Sequence, residues 1–526
     1  MVDGPRLRES IPRATVPPAG TTLGEPIDAA LGRRPALPAH ARSEVSMALM
    51  SPQQYIESLR DDREVWYRGK RVADVTTHPV IGKAVRHAAI DYAMAEDPQY
   101  EALAVVEEDG RTYSRYYKIP ESTDDLLKRS ALIEAATAEG DTLVLLIKEI
   151  GTDGLFALLA VTAEMENPVY HERVRRFYEH CRDRDFAVAV AQSDVKGDRV
   201  KRPSQQADPD LYLRVVERRD DGIVVRGMKV HTSISTNAHE IIVLPTRAMS
   251  EDEGDWSVAF AVPANTPGLR MIASPFGDGP TPAGEHPIAS KHKMMETLTV
   301  FDDVFVPNDR IFIDGDTKAA GQVALTFVEY HRFTAVSYKL PLMDALAGAA
   351  AIIADYNGIV GAGHVRDKFV SLISYATTVR ALTEKAAERC IPKPNGQVAP
   401  DPLTVNVAKS QFAHGYHEAV QHVQELAGGM LVTGPGDEDW ESEELRPFLN
   451  KYLVGREGVS AAQRMKMMNF IRDLTSSDYG GYQEVLAIHA EGSLEAEKLQ
   501  IFRAFNEDGS ARRVVRLASR MAGLDG

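Results

Sequence analysis

The spacing of hydrophobic and polar positions changes character twice along this chain. From His78 to about residue 180, and again from about residue 319 onward, apolar residues recur at helical spacing. Between about 187 and 318 they fall in short β-rich runs separated by turns. The first helical signal is Ser51-Pro52-Gln53-Gln54, where Ser51 can cap, Pro52 suits the first turn and Gln54 completes a capping box. Residues 64–76 alternate around Gly69 and predict a short hairpin. Ser122-Thr123-Asp124-Asp125 predicts another helix start, with acidic side chains at the positive end of its dipole. Residues 143–165 are apolar enough to be buried. Strands are predicted at 211–216, 223–225, 240–244, 258–262 and 297–304, with turns at Arg219-Asp220-Asp221-Gly222 and Asp278-Gly279. Helices are predicted over about 319–358, 362–392, 402–430, 440–457, 460–474 and 480–492, the lengths of a helical bundle. Residues 501–521 are basic and amphipathic, a candidate to dock on a neighbouring subunit.

These changes predict an α+β multidomain chain. Residues 1–45 are rich in Pro, Arg, Gly and Ala and read as a disordered or loosely docked extension, or as a misassigned start. Residues 46–186 read as a mainly helical domain, 187–318 as a central antiparallel β-barrel or sandwich, and 319–526 as a helical bundle with a tail. No helix of normal length fits between the strands, which argues against a doubly wound parallel sheet. No G-x-G-x-x-G sits in a strand–helix setting, which argues against a Rossmann nucleotide domain.

Composition narrows the class further. The 526 residues are 44% hydrophobic and 26% charged, as in ordinary globular proteins. A net charge of −16 argues against a nucleic-acid partner. Two distant cysteines, Cys181 and Cys390, suit a reducing compartment without disulfides. No run of 18 apolar residues predicts a membrane span. Arg6, Arg8 and Arg13 are not followed by a secretory apolar segment. A cytoplasmic enzyme is the expectation.

Several separated blocks carry a family resemblance. They are Tyr55-Ile56-Glu57-Ser58-Leu59-Arg60 with Val72-Ala73-Asp74-Val75-Thr76-Thr77-His78-Pro79; Ala191-Gln192-Ser193-Asp194-Val195-Lys196-Gly197-Asp198-Arg199; Val224-Val225-Arg226-Gly227-Met228-Lys229-Val230-His231-Thr232; Glu240 to Pro245; Phe301 to Pro307; Gly428-Gly429; and Leu474 to Gly481. In order and spacing they resemble the family that joins flavin-dependent 4-hydroxyphenylacetate 3-hydroxylases to 4-hydroxybutyryl-CoA dehydratases. The resemblance implies an acyl-CoA-dehydrogenase-like layout: N-terminal helices, central β domain, C-terminal bundle. It also implies a flavin site shared between subunits of a homotetramer or homodimer.

The flavin candidates are Gln192 and Ser193 for the ring edge, Lys196 and Arg199 for a pyrophosphate, and Thr232 and Ser233 for the ring's polar atoms. Gly428, Gly429, Thr475 and Ser476 complete the set. Each has a plainer alternative: a charged surface turn for 191–199, strand-end capping for Thr232 and Ser233, helix packing for the glycines, a cap for Thr475-Ser476.

The dehydratases of this family hold an iron–sulfur cluster through a His and three Cys. Here His331 is kept, but the Cys positions fall on Leu145, Glu149 and Tyr338. A cluster of that kind needs thiolates, so no metal is expected. His331 and Arg332 lie in an otherwise apolar helix and need partners if buried. His331 reads as acid, base or substrate donor, or else as part of a salt-bridge cluster with Glu329 or another acid. Glu149 reads as a pocket carboxylate or as a partner near Lys148 on the surface, and Tyr338 as filling the cluster's space. The Arg and Tyr with which the hydroxylases hold a phenol fall on Ile150 and Gly154, their substrate His falls near Val190, and the dehydratase Tyr falls on Ala335.

The resemblance thus implies a two-component monooxygenase. It takes reduced FAD from a separate reductase, and O2, to hydroxylate an aromatic or phenolic small molecule, free, carrier-bound or CoA-linked. The alternative is a redox-neutral or dehydrogenating flavoenzyme on an acyl-CoA, an isomerase or dehydratase without the cluster.

Overall fold

A computed structural model describes residues 49–524. The extension expected over 1–45 lies outside the described residues. The local signals at the start operate as read: the Ser51 hydroxyl accepts from the Gln54 amide, and Gln54 reciprocates, opening the helix Pro52–Ser58. Ser122 caps Thr123–Glu139 with Asp124 and Asp125 in its first turn.

The hairpin is Glu64–Tyr67 and Lys70–Arg71, turning at Arg68 and Gly69, both at positive φ. It does not belong to the helical region around it. Glu64–Tyr67 runs parallel to Leu269–Ala273 and extends a six-stranded sheet. That sheet runs Lys70–Arg71, Glu64–Tyr67, Leu269–Ala273, Glu296–Pro307, Gly222–Ser233, Arg214–Arg219. A second sheet runs Ile311–Asp314, Val258–Pro263, Glu240–Val243, Val188–Ala191. Phe260 and Phe301 meet edge-to-face between them, centroids 5.9 Å apart.

Three expectations change. Among the described residues the sheets have open edges and form no closed barrel. They are not purely antiparallel, because Val188–Ala191 pairs parallel to Glu240–Val243 as the hairpin does to Leu269–Ala273. The helical stretch 78–180 is interrupted by a second hairpin, Val105–Glu108 with Arg111–Ser114, around Asp109-Gly110. The boundary read at 186 is therefore a change of secondary structure rather than a gap, and the described residues form one packed unit.

Val188–Ala191 and Glu240–Val243 are buried along their whole length, as strands covered on both faces must be. The cover on one side is the helix Glu149–Thr162. A Cβ at Gly151 would sit 2.4 Å from the Val188 Cβ, so glycine permits this approach.

The bundle centres on Thr317–Tyr356, 40 residues capped by Asp316 and about 60 Å long. It is long and apolar enough to cross a membrane. Yet it carries buried His331, Arg332 and Lys339 and packs between Glu149–Thr162, Thr123–Glu139, Gly363–Glu388, Pro402–Ala427 and Ala461–Ser476, as a core helix does. The stretch expected over 440–457 is two short helices, Asp437–Glu441 and Arg446–Tyr452. The tail breaks at Gly509, at φ +82°, into Leu494–Glu507 and Ser510–Met521.

Candidate active site

Strand Gly222–Ser233 and the loop after Val188–Ala191 are laced together. Val230 N donates to Ser193 O (2.8 Å), and Lys229 Nζ donates to Gln192 O (2.9 Å) and pairs with buried Asp194 at 2.9 Å. This fixes Gln192, Ser193 and Lys196 against the strand end that carries Thr232 and Ser233. The loop is tightly wound, with Lys196 at φ +73° and Gly197 at +48°. Arg199 is exposed at its tip. Burial and the neighbouring Arg199 hold the Lys196 ammonium below its ordinary range.

Thr232 is fully buried and its Oγ1 has no hydrogen-bond partner among the described residues. An unpaired buried hydroxyl costs on the order of 1–3 kcal/mol, so a missing partner at this point is informative. Ser233 differs: its hydroxyl donates to Glu296 (2.9 Å to each oxygen), which also accepts from Tyr482 OH at 2.9 Å.

Gly428 and Gly429 are exposed and stand past the end of the helix Pro402–Ala427, not inside it. Gly428 adopts φ +81°, a C-terminal conformation that glycine accepts without strain. They lie close to the other predicted pair, because Gln424 accepts from Gly428 N through its carbonyl and donates to Thr475 O (3.0 Å) and Ser476 Oγ (3.2 Å). The Thr475 hydroxyl also closes on its own helix at Ile471 O (2.7 Å).

His331 does not pair with Glu329, which is held by Lys393 at 2.7 Å. Its Nδ1 faces Asp153 Oδ2 at 3.1 Å, and Phe327 stacks on the ring. Asp153 is fully buried and also accepts from Arg129 (2.7 Å) and Thr334 (3.0 Å). The carboxylate thus neutralises Arg129 and fixes the imidazole at one nitrogen. Nε2 has no protein partner among the described residues and is the atom free to meet a substrate proton.

Arg332 and Tyr338 converge on a turn that sequence reasoning missed. Arg332 donates to Glu491 O (3.1 Å) and to Asn406 Oδ1, which braces the turn. Tyr338 OH donates to Glu491 Oε1, and Lys339 Nζ to Glu491 Oε2 at 2.9 Å. Lys409 pairs with Glu497 at 3.1 Å, below the same carboxylate. Burial and the nearby Glu497 push the Glu491 carboxyl well up, and burial with Lys409 pushes the Lys339 ammonium well down. Glu491 sits at φ +55°. A lysine beside Tyr338 in an apolar helix was the available signal for this cluster.

Glu149 is not on the surface. It is fully buried, with Oε2 accepting from Lys148 N (3.0 Å) and Oε1 unpartnered among the described residues. Lys148 is also buried and pairs with Asp91 (2.7 Å) and Asp185 (2.6 Å). Burial, with Asp91 adding, raises the Glu149 carboxyl to about 7.

The three sets meet along one segment. Thr475 and Ser476 touch the Gly428 end, Tyr482 touches the Ser233–Glu296 pair, and Glu491 closes the Tyr338 end. The donors present fit a flavin. Thr232 holds an unclaimed hydroxyl at the strand end, and Lys196 and Arg199 could offer charge to a pyrophosphate.

A chain that combines helices with two mixed sheets in this way has an acyl-CoA-dehydrogenase-like fold. The chain belongs to the 4-hydroxyphenylacetate 3-hydroxylase family: that family's N-terminal region matches residues 51–313 and its C-terminal region matches 320–519. It is 33% identical over 497 residues to the 4-hydroxybutyryl-CoA dehydratase/vinylacetyl-CoA-Delta-isomerase of Clostridium aminobutyricum, covering 90% of this chain and 100% of that one. It is 28% identical to the 4-hydroxyphenylacetate 3-monooxygenase oxygenase component of Thermus thermophilus, covering 88% and 95%. It is 26% identical to a Streptomyces globisporus monooxygenase acting on a (3S)-3-amino-3-(3-chloro-4-hydroxyphenyl)propanoyl-[peptidyl-carrier protein], covering 88% of each. The 4-hydroxybutyryl-CoA dehydratase of N. maritimus superposes with a TM-score of 0.84 at 30% identity, covering 91% and 96%. A 4-hydroxyphenylacetate 3-monooxygenase oxygenase component complexed with FAD superposes at 0.83 and 26%, covering 91% and 100%.

Proposed function

We propose that this chain is the oxygenase component of a two-component, FADH2-dependent monooxygenase that hydroxylates a phenolic or otherwise activated aromatic substrate. Reduced FAD comes from a separate reductase. The observation that carries the reading is the unclaimed Thr232 hydroxyl beside the loop of Lys196 and Arg199, set in a chain whose cluster positions are Leu145, Glu149 and Tyr338. Bound reduced flavin supplies the activation of O2.

The remaining work falls to side chains. Gln192 and Ser193 line the ring edge, Thr232 donates to it, and Lys196 with Arg199 holds the pyrophosphate. His331, its Nδ1 held by Asp153, takes the proton of the substrate hydroxyl at Nε2. Tyr338, Lys339 and Glu491 close the space on the other side with a mutually satisfied set. Arg332 acts through Glu491 as a positioning residue. The buried wall of Leu145, Ile147 and Ile150 excludes water. The rim of exposed Gly428, Gly429 and Ser476, with Thr475 buried behind it, is where a second copy completes a flavin site, so the proposal extends to a homodimer or homotetramer, in the cytoplasm.

A second reading is oxygen-independent proton and hydride chemistry on an acyl-CoA. The buried Tyr338–Lys339–Glu491 set favours it, because it gathers titratable groups on the same helix as His331. One experiment separates the two. The FAD-loaded protein is reduced anaerobically and mixed with isotopically labelled O2 and a panel of phenols, each offered free and as its coenzyme A thioester. Label in a hydroxylated product is expected. Peroxide alone from every phenol, with acyl-CoA turnover in the absence of O2, rejects the oxygenase reading in favour of the second.

A further inference from the structure

The loop that holds the flavin candidates gathers more positive charge than a flavin needs. Backbone contacts bring three segments together: Ser193 O accepts from Val230 N (2.8 Å), Asp194 N donates to Thr246 Oγ1 (3.2 Å), and Lys196 N donates to Leu211 O (3.3 Å). These contacts place Lys196 and Arg199 beside His231, one residue past Val230, and beside Arg247, one residue past Thr246. His489, at the end of the helix Asp478–His489, joins them: His231 feels the charges of Lys196, His489 and Arg199, and Lys196 feels those of Arg199 and Arg247. Two of the five, Lys196 (φ +73°) and His231 (φ +57°), sit in left-handed backbone that non-glycine residues adopt at a cost.

In a chain of net charge −16 carboxylate partners are the expectation for these side chains, yet none forms an ion pair among the described residues. The nearby acids are already engaged: Asp194 by Lys229 (2.9 Å), Asp198 by Lys201 (3.7 Å), and Glu253 by Arg202. Arg199, His231 and His489 are exposed, and Lys196 and Arg247 are half-buried. An unneutralised cluster of mixed Lys, Arg and His, open on one side, is built for a polyanion. A pyrophosphate diester carries two negative charges, which Lys196 and Arg199 answer. Arg247, His231 and His489 remain.

Resting on the monooxygenase reading, we infer that Arg247, His231 and His489 form a second anion subsite beside the flavin pyrophosphate, and that it takes the phosphate of a phosphopantetheine thioester bearing the aromatic substrate. The substrate is then a thioester rather than a free phenol. Anchoring a remote phosphate lets the reacting ring be placed without the Arg and Tyr that Ile150 and Gly154 replace here. The phosphate has two sources, coenzyme A or a carrier protein, and the same subsite chemistry serves both.

The test uses the full chain loaded with FAD. Isothermal titration calorimetry measures coenzyme A, a phosphopantetheinylated carrier domain and its unmodified form. Coenzyme A or the modified carrier is expected to bind, and the unmodified carrier is not. Which of the two binds identifies the source. Arg247→Glu and the double substitution Arg247→Ala/His489→Ala are expected to weaken that ligand tenfold or more and to flatten its salt dependence, with the FAD Kd moving less than threefold. The inference is overturned if neither phosphopantetheine ligand binds the FAD-loaded wild type, or if both substitutions weaken FAD as much as the second ligand, which assigns the whole cluster to the flavin. Failure of the wild type to bind FAD in either its oxidised or its reduced form instead removes the monooxygenase reading.

Discussion

Glu149 gives the sharpest test of the physical picture, through Glu149→Gln. The carboxyl is fully buried, with one oxygen bonded to Lys148 N and the other unpaired. Burial raises it from 4.5 to about 7, and Asp91 adds in the same direction. That difference corresponds to about 3 kcal/mol. Between pH 4.5 and 7 the native protein keeps a proton that the unfolded chain has released. Stability from this group therefore falls as pH rises through that window and is flat above 7, where the cost is fully present. Glutamine keeps the shape and the acceptor for Lys148 N but never ionises. Urea unfolding at pH 5, 6, 7 and 8 is the assay, and other titrating groups cancel in the difference between wild type and variant. The two proteins should be close at pH 5, and the variant should be more stable by about 3 kcal/mol at pH 8. A difference that stays constant with pH, or a variant that is weaker at pH 8, would show that Glu149 is ionised and satisfied in the native state.

Asp153→Asn turns an amide toward His331 Nδ1 and leaves Arg129 without its charge partner; removing one member of a buried pair costs about 3–5 kcal/mol, so apparent Tm should fall, and single-turnover hydroxylation should fall at least tenfold with flavin affinity retained. Unchanged turnover would detach His331 from the chemistry. Thr232→Val removes the orphaned hydroxyl: the flavin-free protein should be unchanged or slightly more stable by thermal shift, while FAD Kd should rise about three- to tenfold, the worth of one hydrogen bond. Equal FAD affinity would move the ring elsewhere. Glu491→Ala leaves the buried Lys339 amine and the Tyr338 hydroxyl without their acceptor, and urea unfolding should show a loss of about 1–3 kcal/mol, partly restored by adding Lys339→Met. No restoration would mean that the two residues do not act as a pair.

Much of this architecture is readable from sequence where the signal is local. The Ser51 and Ser122 caps, the turn at Gly69 and the bundle helices follow from neighbours three or four residues apart. What the sequence hid depends on distant partners. Val188–Ala191 is four apolar residues, too short to separate from a helix by periodicity, and its parallel pairing with Glu240–Val243 carries no turn signature. The hairpin at Asp109-Gly110 was legible and was overridden by its helical flanks. Glu149 and His331 stood out as polar residues in apolar helices, and the same rule applied to Asp153 and Lys339 finds the rest of both clusters. Glu491 had no such signal, because it lies in a turn between helices and becomes buried only when Arg332, Lys339 and Tyr338 fold against it. The glycines at 428 and 429 were misplaced inside a helix because the pattern continues past the residue where the backbone turns left-handed.

The parallel pairing of Glu64–Tyr67 with Leu269–Ala273 imposes an order on biogenesis. Arg270 and Glu64 are partners 206 residues apart. At ribosomal rates of about 5–20 residues per second, the first hairpin waits on the order of 10–40 s for the strand it joins. During that interval Val65 and Tyr67, buried in the finished protein, face solvent on an unpaired edge. Nascent-chain arrest before and after residue 273 should therefore divide aggregation-prone intermediates that recruit chaperones from those that no longer do.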